Sequence, residues 1–445
     1  MVSLTNVLAL LSVTAALVSS ASADPAYEGS WKTKNINFRD NQPTAKPATP
    51  SPNSVRPSTN PGTLGPNTIK PTSNPSTPGP NSVKPSTNPT TLSPNSTKPA
   101  GEETKSLTQL YDEAVKEGGR LVVYHGGDTP NQQDSVINAF RQAYPKVNLT
   151  LIVDYSKYHN ARIDNQLETD SLVPDVVALQ TLQDYPRWKR EGKLMAYKPA
   201  GASQVYDGFA DPDGAWTSHA VYTFSYFYDE AQLSAKGLPA PKTAQDLADP
   251  KYRDLIASAY PHDDDATLYV YDQWIKAYGW DWVRRMAEQK IEFRRGSDSP
   301  AEAVTERRKA IGVAGAAPFN ASTVRVRIGR NETSDYLAWG QRIAILKKAP
   351  HPAAAKLFLN WILSREVQTT VMEGFSSRKD VASEYEQATG EAQPWNVPRA
   401  GSLAFQKFME DRAGLEELRA KLAIYFGEVR GEPTPGQLGL HPGRA

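Results

Sequence analysis

The chain has 445 residues, of which 39% are hydrophobic and 35 are prolines, and its formal net charge is +1. This near-neutral balance argues against a protein that binds nucleic acid or an anionic membrane surface through its overall charge. The chain has no cysteine, which excludes a disulfide framework, thiol nucleophiles and cysteine-ligated metal sites.

The first residues predict a secretory signal peptide over residues 1–23. An apolar run from Val7 to Val18 precedes Ala21-Ser22-Ala23, the small-residue pattern of a cleavage site. We expect cleavage after Ala23, at the end of this pattern. The apolar run is too short to span a bilayer comfortably, which favours a signal peptide over a membrane helix. The protein is therefore expected to be secreted and extracellular, or periplasmic if the source is a bacterium.

Residues 24–105 are predicted to form a disordered linker that is rich in proline, serine and threonine. Within it, residues 51–99 are a tandem repeat whose units each offer one basic residue and one or two aliphatic ones. Proline removes backbone donors, and the segment lacks the apolar surface that would offset its ordering entropy. We interpret the repeats as an extended stalk, either a spacer or cell-wall contact or an inert linker.

Four Asn-x-Ser/Thr sequons predict surface glycosylation in a host that glycosylates exported proteins. They lie at Asn95, Asn148, Asn320 and Asn331. They favour a eukaryotic secretory route, although motifs this short also arise by chance.

From residue 106 onward, short apolar strands alternate with amphipathic helices. A capping-box pattern, Ser106-Leu-Thr-Gln109, opens the first helix. The predicted strands lie at residues 121–124, 147–153, 175–179, 256–260 and 311–314. Helices that alternate with strands indicate βαβ units on a mostly parallel sheet, so the sequence predicts an α/β fold.

The most distinctive segment runs from Ala338 to Ser364. It begins with the apolar strand Ala338-Trp-Gly-Gln-Arg-Ile-Ala-Ile-Leu346, followed by a proline-marked turn and a helix that starts at Pro352. Together with Gln368 and the turn Gly374-Phe-Ser-Ser-Arg-Lys-Asp-Val381, this segment resembles the family 1 extracellular solute-binding proteins. The resemblance extends over residues 106–381.

The resemblance implies the type II periplasmic-binding-protein fold, with two α/β lobes, crossover strands as a hinge and a ligand in the cleft. Lobe 1 would comprise residues 106–220 and 338–375, and lobe 2 residues 221–337 with the C-terminal part. The hinge would lie near Val221–Tyr226. The family also implies an ABC-transporter substrate-binding protein rather than an enzyme, with a membrane permease as its partner, and we expect a monomer.

Two loops of the first lobe are predicted to face the cleft. In open α/β sheets, ligands bind beyond the carboxyl ends of the strands, where helix N-termini offer free N–H groups to an anion. The loop with Gly127, Asp128 and Thr129 fits this position, or is an ordinary turn with Asn131 as the helix cap. In the next loop, Tyr155 could stack on a ligand and Lys157 could pair with an anion. Alternatively, one of the tyrosines of this loop packs within the protein and does not contact a ligand.

The second lobe offers the cluster His262-Asp263-Asp264 at the mouth of its first strand. Histidine and carboxylates can ligate a metal ion and can equally complement an amine. The simpler alternative is a solvated acidic loop that caps the helix at Thr267. Tyr336 is a further cleft candidate, and so is the helix start at Ser297–Pro300, whose N–H groups could meet an anion.

Iron binding and catalysis are both disfavoured. Ferric-iron-binding relatives usually carry an adjacent tyrosine pair before the return strand, whereas this chain has Thr333-Ser-Asp-Tyr336 and no Tyr-Tyr pair. We therefore predict no cofactor and leave the identity of any metal open. Motifs such as Gly-x-Ser-x-Gly and His-Glu-x-x-His are missing from the sequence. His125, His159 and His262 lie in predicted cleft loops, but their spacing supports no acid–base constellation.

Three functions follow in order of preference. The first is a secreted solute-binding protein that captures an anion, a metal complex or a small organic molecule by hinge closure. The second is a secreted interaction or effector protein that keeps the scaffold without transport. An enzyme on the same scaffold ranks third.

Overall fold

The structure is a computed structural model, and it describes residues 101–315, 324–327, 336–372, 375–382, 401–432 and 435–444. The predicted signal peptide, residues 24–100 of the predicted linker and three of the four sequons lie outside the described residues. Residues 101–105, which were also assigned to the disordered linker, instead contact the fold, since the N–H of Glu103 donates to the carbonyl oxygen of Lys198 at 2.9 Å. The fourth, Asn148, is exposed at the first position of a strand. Over the ranges given above, no helix combines the length and the apolar character that a membrane span needs.

Strands and helices alternate along the described chain. The strands are β1 Arg120–Gly126, β2 Asn148–Asp154, β3 Val176–Leu179, β4 Thr217–Asp229, β5 Ile256–Ala259, β6 Glu292–Arg294, β7 Ile311–Gly315, β8 Val324–Arg327 and β9 Leu337–Ile345. The helices are α1 Leu107–Glu117, α2 Asp134–Ala143, α3 Ser156–Glu168, α4 Asp184–Arg190, α5 Glu230–Ala235, α6 Asp265–Ala287, α7 Ser299–Thr305, α8 Pro352–Ile362, α9 Arg365–Thr370, α10 Ser402–Glu410 and α11 Arg412–Phe426. The helix α6 is kinked at Gly279, where φ is 78°.

Local sequence signals explain the boundaries of several helices. Ser106 and Gln109 form the predicted capping box of α1, in which each side chain accepts the backbone N–H of the other residue. Gly118, with a positive φ, ends the same helix. Pro352 lies in the first turn of α8, where its missing N–H costs nothing.

The strands follow one path in the order β2-β1-β3-β9-β4-β7-β5-β6, with β8 paired to β4. β1 is parallel to β2 and β3, and β5 is parallel to β6 and β7. We call the part built on β1–β3 lobe 1 and the part built on β5–β7 lobe 2. The predicted α/β fold with a mostly parallel sheet in each lobe is confirmed, and the long antiparallel strands β4 and β9 join the two sheets.

The crossover strand β4 changes partners along its length. Residues 217–224 pair with β9, whereas residues 225–229 pair with β7 and β8. The register with β7 shifts between Ser225 and Tyr226. This switch falls within the segment Val221–Tyr226, where the sequence predicts the hinge, so the strand has a local irregularity at the place where bending is expected.

Each lobe has its own hydrophobic core. The core of lobe 1 packs α1, α2 and α8 on one sheet face and α3 and α4 on the other. Its large buried side chains include Phe140, Tyr185, Trp188, Phe358 and Trp361. The core of lobe 2 includes Trp274, Trp282, Met286, Phe405 and Leu422. Such cores supply the burial that a fold without disulfides needs.

The C-terminal part of the chain touches both lobes. Helix α11 packs on α6 of lobe 2. Residues 435–444, which we call the C-terminal strap, lie against lobe 1, where the Tyr124 hydroxyl donates to the Pro442 carbonyl oxygen at 2.8 Å and Arg162 Nε donates to that of Gly439 at 2.6 Å. The expectation that the C-terminal part belongs to lobe 2 therefore describes the helices but not the strap.

Candidate functional site

A cavity lies between the two lobes, beyond the carboxyl ends of their parallel strands. The loops after β1, β2 and β3 line it from lobe 1, and the loops after β5 and β6 line it from lobe 2. The crossover strands β4 and β9 form its floor. Its volume of about 110 Å³ exceeds several-fold the roughly 10–15 Å³ that one water needs, so the cavity admits a small molecule.

The structure brings six of the nine predicted ligand-binding residues into the lining. They are Gly127, Asp128, Tyr155, Lys157, Asp263 and Asp264. Thr129 lies outside the lining, in the turn where its carbonyl oxygen accepts the N–H of Gln132. His262 points toward the C-terminal part and contacts the carbonyl oxygen of Gly427 at 2.8 Å. Tyr336 packs into the core of lobe 1. Whether the six lining residues bind a ligand stays a prediction.

Several lining residues were not identified from the sequence. They include Gln132, Gln133, Ser156, Gln180, Thr181, Tyr222, Phe224, Trp339 and Gln341. Tyr222 and Phe224 alternate along β4, as do Trp339 and Gln341 along β9, so each pair shares one strand face. That alternation was the available signal, but only the pairing of β4 with β9 shows that this face meets the cavity.

The carboxylate of Asp128 joins the two lobes. Its Oδ2 accepts the backbone N–H of Ser297 at 2.7 Å, the Ser297 hydroxyl at 2.6 Å and the N–H of Asp298 at 3.3 Å. The residue before Ser297 is Gly296, whose φ of +87° is a backbone conformation that glycine adopts without strain. The N–H groups that the sequence offered to an external anion are thus bound by the chain itself.

Asp263 is the centre of a second contact between the lobes. Lys157 of lobe 1 donates to Asp263 Oδ1 at 2.6 Å, while Arg295 binds both carboxylate oxygens at 2.8 and 3.0 Å. Burial alone would raise the pKa of Asp263, but Arg295 and Lys157 outweigh it and hold this pKa below its usual value. Asp263 therefore stays ionised and neutralises much of the positive charge near the cavity.

Asp264 has a different environment from its neighbour. Its Oδ1 caps α6 by accepting the N–H of Thr267 at 2.7 Å, so the alternative of a helix-capping loop is realised at this residue. Burial, and to a lesser extent the nearby carboxylate of Asp128, raise the pKa of Asp264 to about 6. The next residue, Asp265, pairs with Arg419.

The floor of the cavity is aromatic. The ring of Trp339 meets Phe224 edge to face, with centroids 5.0 Å apart, and Tyr222 at 5.8 Å. The Trp339 indole N–H donates to Oε1 of Gln341 at 3.0 Å. This hydrogen bond and these ring contacts hold the indole in place, so the floor presents aromatic surface and the indole N–H is satisfied.

The histidines of the predicted cleft loops do not converge on the cavity. His125 Nε2 lies 3.2 Å from Nε2 of His219, deep in the protein. His159 stacks on Tyr124 with ring centroids 4.5 Å apart, and His262 points outward as described. None of the three is among the residues that line the cavity.

The start of α2 decides one alternative for the first cleft loop. Gln133, rather than Asn131, precedes the first residue of α2, so the Asn131 cap is not formed.

Across the described part of the chain, no group of three or more histidine, aspartate or glutamate side chains has a geometry that could hold a metal ion.

Comparison with known proteins places the chain in one structural group. Residues 173–399, just over half of the chain, match the family model described as bacterial extracellular solute-binding protein. A search of curated proteins returned no significant match.

Solved structures agree in fold. Iron-bound HitA from Pseudomonas aeruginosa aligns with a TM-score of 0.53 and 15% identity over 68% of this chain and 99% of its own. AfuA from Actinobacillus pleuropneumoniae, solved with fructose-6-phosphate, aligns with a TM-score of 0.54 and 19% identity over 69% of this chain and 99% of its own. The substrate binding protein of an ABC transporter from Agrobacterium tumefaciens aligns with a TM-score of 0.56 and 14% identity over 69% of this chain and 94% of its own. At these identities the likeness concerns the fold.

Proposed function

The chain belongs to the family of bacterial extracellular solute-binding proteins, and from this premise we propose that it is a secreted protein that captures a small solute between its lobes. One observation carries the proposal: polar side chains from both lobes line a single cavity at the carboxyl ends of the strands. This is where open α/β sheets bind ligands.

We also propose that the two lobes close about a hinge when the solute binds. A solute that touches Tyr155 of lobe 1 and Asp264 of lobe 2 gains both contacts only when the lobes are together, so its binding favours the closed arrangement. The partner switch of β4 at Ser225–Tyr226 is the element that we expect to bend. Closure would also remove water from the solute, which lets a few oriented groups determine specificity.

We also propose where the protein acts and which partners it has. We expect it outside the cell, or in the periplasm if the source is bacterial, as a monomer that does not bind nucleic acid. A membrane permease would take up the captured solute, and the repeat linker would hold the lobes at a distance from the cell wall. HitA and AfuA, as solved, hold iron and a sugar phosphate, which illustrates the range of solutes on this fold.

A second function has one observation in its favour. Asp128 with Ser297 and Lys157 with Asp263 already join the lobes through the chain's own side chains. A scaffold that had lost transport and acts as an interaction or effector protein would also show such internal pairing. An enzyme ranks below both, because the buried histidines lie apart from the cavity.

The two functions are separated by a thermal-shift screen of the full chain. The panel contains ferric citrate, phosphate, sulfate, small carboxylates, thiamine and organic amines. A ligand at 100 times its Kd should stabilise the protein by about 2.7 kcal/mol. We expect at least one specific shift that Asp264→Ala abolishes and Asp411→Ala, at an exposed cap outside the cavity, leaves intact. A folded sample that responds to no member of the panel would favour the effector function.

A further inference from the structure

The cavity between the lobes has more carboxylates than its own cations balance. Five aspartates and one lysine are among the residues that line it. We infer that the solute is a small organic cation whose ammonium group is held by Asp128 and Asp264. This inference rests on the proposed function and names the chemical class of its solute.

The cations near the cavity are already paired. Lys157 and Arg295 both form ion pairs with the carboxylate of Asp263. Asp265 is neutralised by Arg419, which lies outside the lining. The five lining aspartates still outnumber the three cations Lys157, Arg295 and Arg419 by two, so the formal charge around the cavity is negative and disfavours an anionic solute.

Asp128 and Asp264 have no basic partner among the residues that the structure describes. Asp128 is bound by N–H groups and the hydroxyl of Ser297, and Asp264 by the N–H of Thr267. Burial disfavours ionisation of both carboxylates, and a neighbouring carboxylate adds to that cost, Asp128 at Asp264 and Asp263 at Asp128. A cation placed between them would relieve both effects, whereas an anion would add to them.

An unsatisfied hydroxyl is independent evidence that a polar ligand binds in the cavity. Thr181, just after β3, is only 3% exposed and lines the cavity. Its Oγ1 has no hydrogen-bond partner within the described ranges, although buried polar atoms in native proteins almost always have one. A hydroxyl oxygen can accept an ammonium N–H, so a primary amine would satisfy it.

The aromatic floor suits an organic cation better than an inorganic one. Tyr222, Phe224 and Trp339 lie beside the acidic wall. The faces of aromatic rings attract cations within about 6 Å and also pack against alkyl groups. A bare metal ion would leave this apolar surface unused.

The donors that could hold an anion are occupied by the chain itself. The N–H groups of Ser297 and Asp298 are bound by Asp128, and Lys157 is bound by Asp263. An incoming anion would have to displace a carboxylate and break an ion pair. An incoming cation leaves both contacts in place.

The test is isothermal titration of the full chain at low ionic strength and about pH 7.5. The probes are choline and 1,4-diaminobutane as cations, inorganic phosphate as an anion, and ferric citrate as a metal complex. The variants are Asp264→Asn, which removes the charge and keeps a helix cap, and Asp411→Asn as its match. Asp411 caps α11 through the N–H of Gly414 and is exposed, outside the cavity.

We expect an organic cation to bind, with an affinity at least tenfold weaker in Asp264→Asn and unchanged in Asp411→Asn. Binding of phosphate alone would overturn the inference but retain the solute-binding function. Ferric citrate binding that is lost in Asp264→Asn would assign the acids to a metal and would also overturn it. If a folded sample binds none of the probes and none of the wider thermal-shift panel, the proposed function itself fails.

Discussion

The carboxylate of Asp128 and the backbone N–H of Ser297 lie 2.7 Å apart, although the two residues are in different lobes. The Ser297 hydroxyl donates to the same oxygen at 2.6 Å. A charged acceptor with two donors forms stronger hydrogen bonds than a neutral pair. This contact therefore favours a closed arrangement before any solute is bound, and its removal tests the hinge directly.

Asp128→Ala should open the unliganded protein. Loss of a charge-assisted contact of this kind costs about 1.5–3 kcal/mol, which is enough to shift a balanced pair of states toward the open one. The measurement is the distance distribution between spin labels at Gln142→Cys in lobe 1 and Ala287→Cys in lobe 2. The absence of native cysteine makes this labelling specific.

The matched control for that experiment is Asp134→Ala, which removes an exposed carboxylate from the same region of lobe 1. It should leave the label distances as they are in the parent. If Asp128→Ala also left them unchanged, the contact with Ser297 would not contribute to closure.

Affinity for an organic cation should fall in acid. The pKa of Asp264 is about 6, and only the ionised carboxylate attracts the cation. Asp128, whose pKa is also raised by burial, faces the same space, as do Asp263 and Lys157, which are paired with each other. Between about pH 7 and about pH 5, protonation of one group with this pKa should weaken binding about tenfold. Titration calorimetry over this range measures it, and an affinity that is constant with pH would contradict the role of Asp264.

Asp264→Asn should stabilise the free protein above about pH 6. A carboxyl whose folded pKa is raised binds its proton more tightly in the native state, so its ionisation destabilises the fold as pH rises through the folded pKa. Asparagine keeps the cap without the charge. Because the side chain retains some contact with solvent, we expect a gain of about 1–2 kcal/mol at about pH 8.

Urea unfolding at about pH 8 and about pH 4 checks this prediction. The gain should shrink at the lower pH, where Asp264 is protonated in the native protein. Asp411→Asn should have little effect at either pH, and a gain of equal size at both would point to a cause other than ionisation.

The pair formed by His125 and His219 should contribute to acid unfolding. Burial lowers the pKa of His125 to about 4, and burial together with His125 lowers that of His219. Both are therefore neutral in the fold and take up protons on unfolding, so stability is lost as pH falls from about 6.5 toward 4. In His125→Gln, about 2–3 kcal/mol of that loss should disappear.

The slope of unfolding free energy against pH, measured for the parent and for His125→Gln, provides the comparison. His441→Gln serves as the control, since His441 lies on the strap and is only half buried. Parallel slopes for the parent and His125→Gln would show that His125 does not titrate on unfolding.

The fold was predictable because its signals are local. The capping box at Ser106 and the apolar runs of β1, β2 and β5 fix their elements within a few residues. Strand ends then determine which loops meet at the cleft. The same reasoning placed Asp128, Lys157 and Asp264 in the lining.

The rest of the site depends on contacts between distant segments. Trp339 reaches the floor only because β9 pairs with β4, and Ser297 meets Asp128 across 169 positions of sequence. His262 was misplaced because the residues after β5 turn, so that Asp263 and Asp264 face the cavity while His262 faces Gly427. Local pattern cannot show how such a turn distributes consecutive side chains.

The C-terminal strap adds a further covalent connection between the lobes, besides the crossover strands. Helix α11 is fixed to lobe 2, the strap is fixed to lobe 1 through Tyr124 and Arg162, and eight residues, 427–434, connect them. A connector of that length spans at most about 30 Å when fully extended. We expect this connector to limit how far the lobes can separate, so proteolytic cleavage after Phe426 should allow a wider opening while leaving the residues that line the cavity in place.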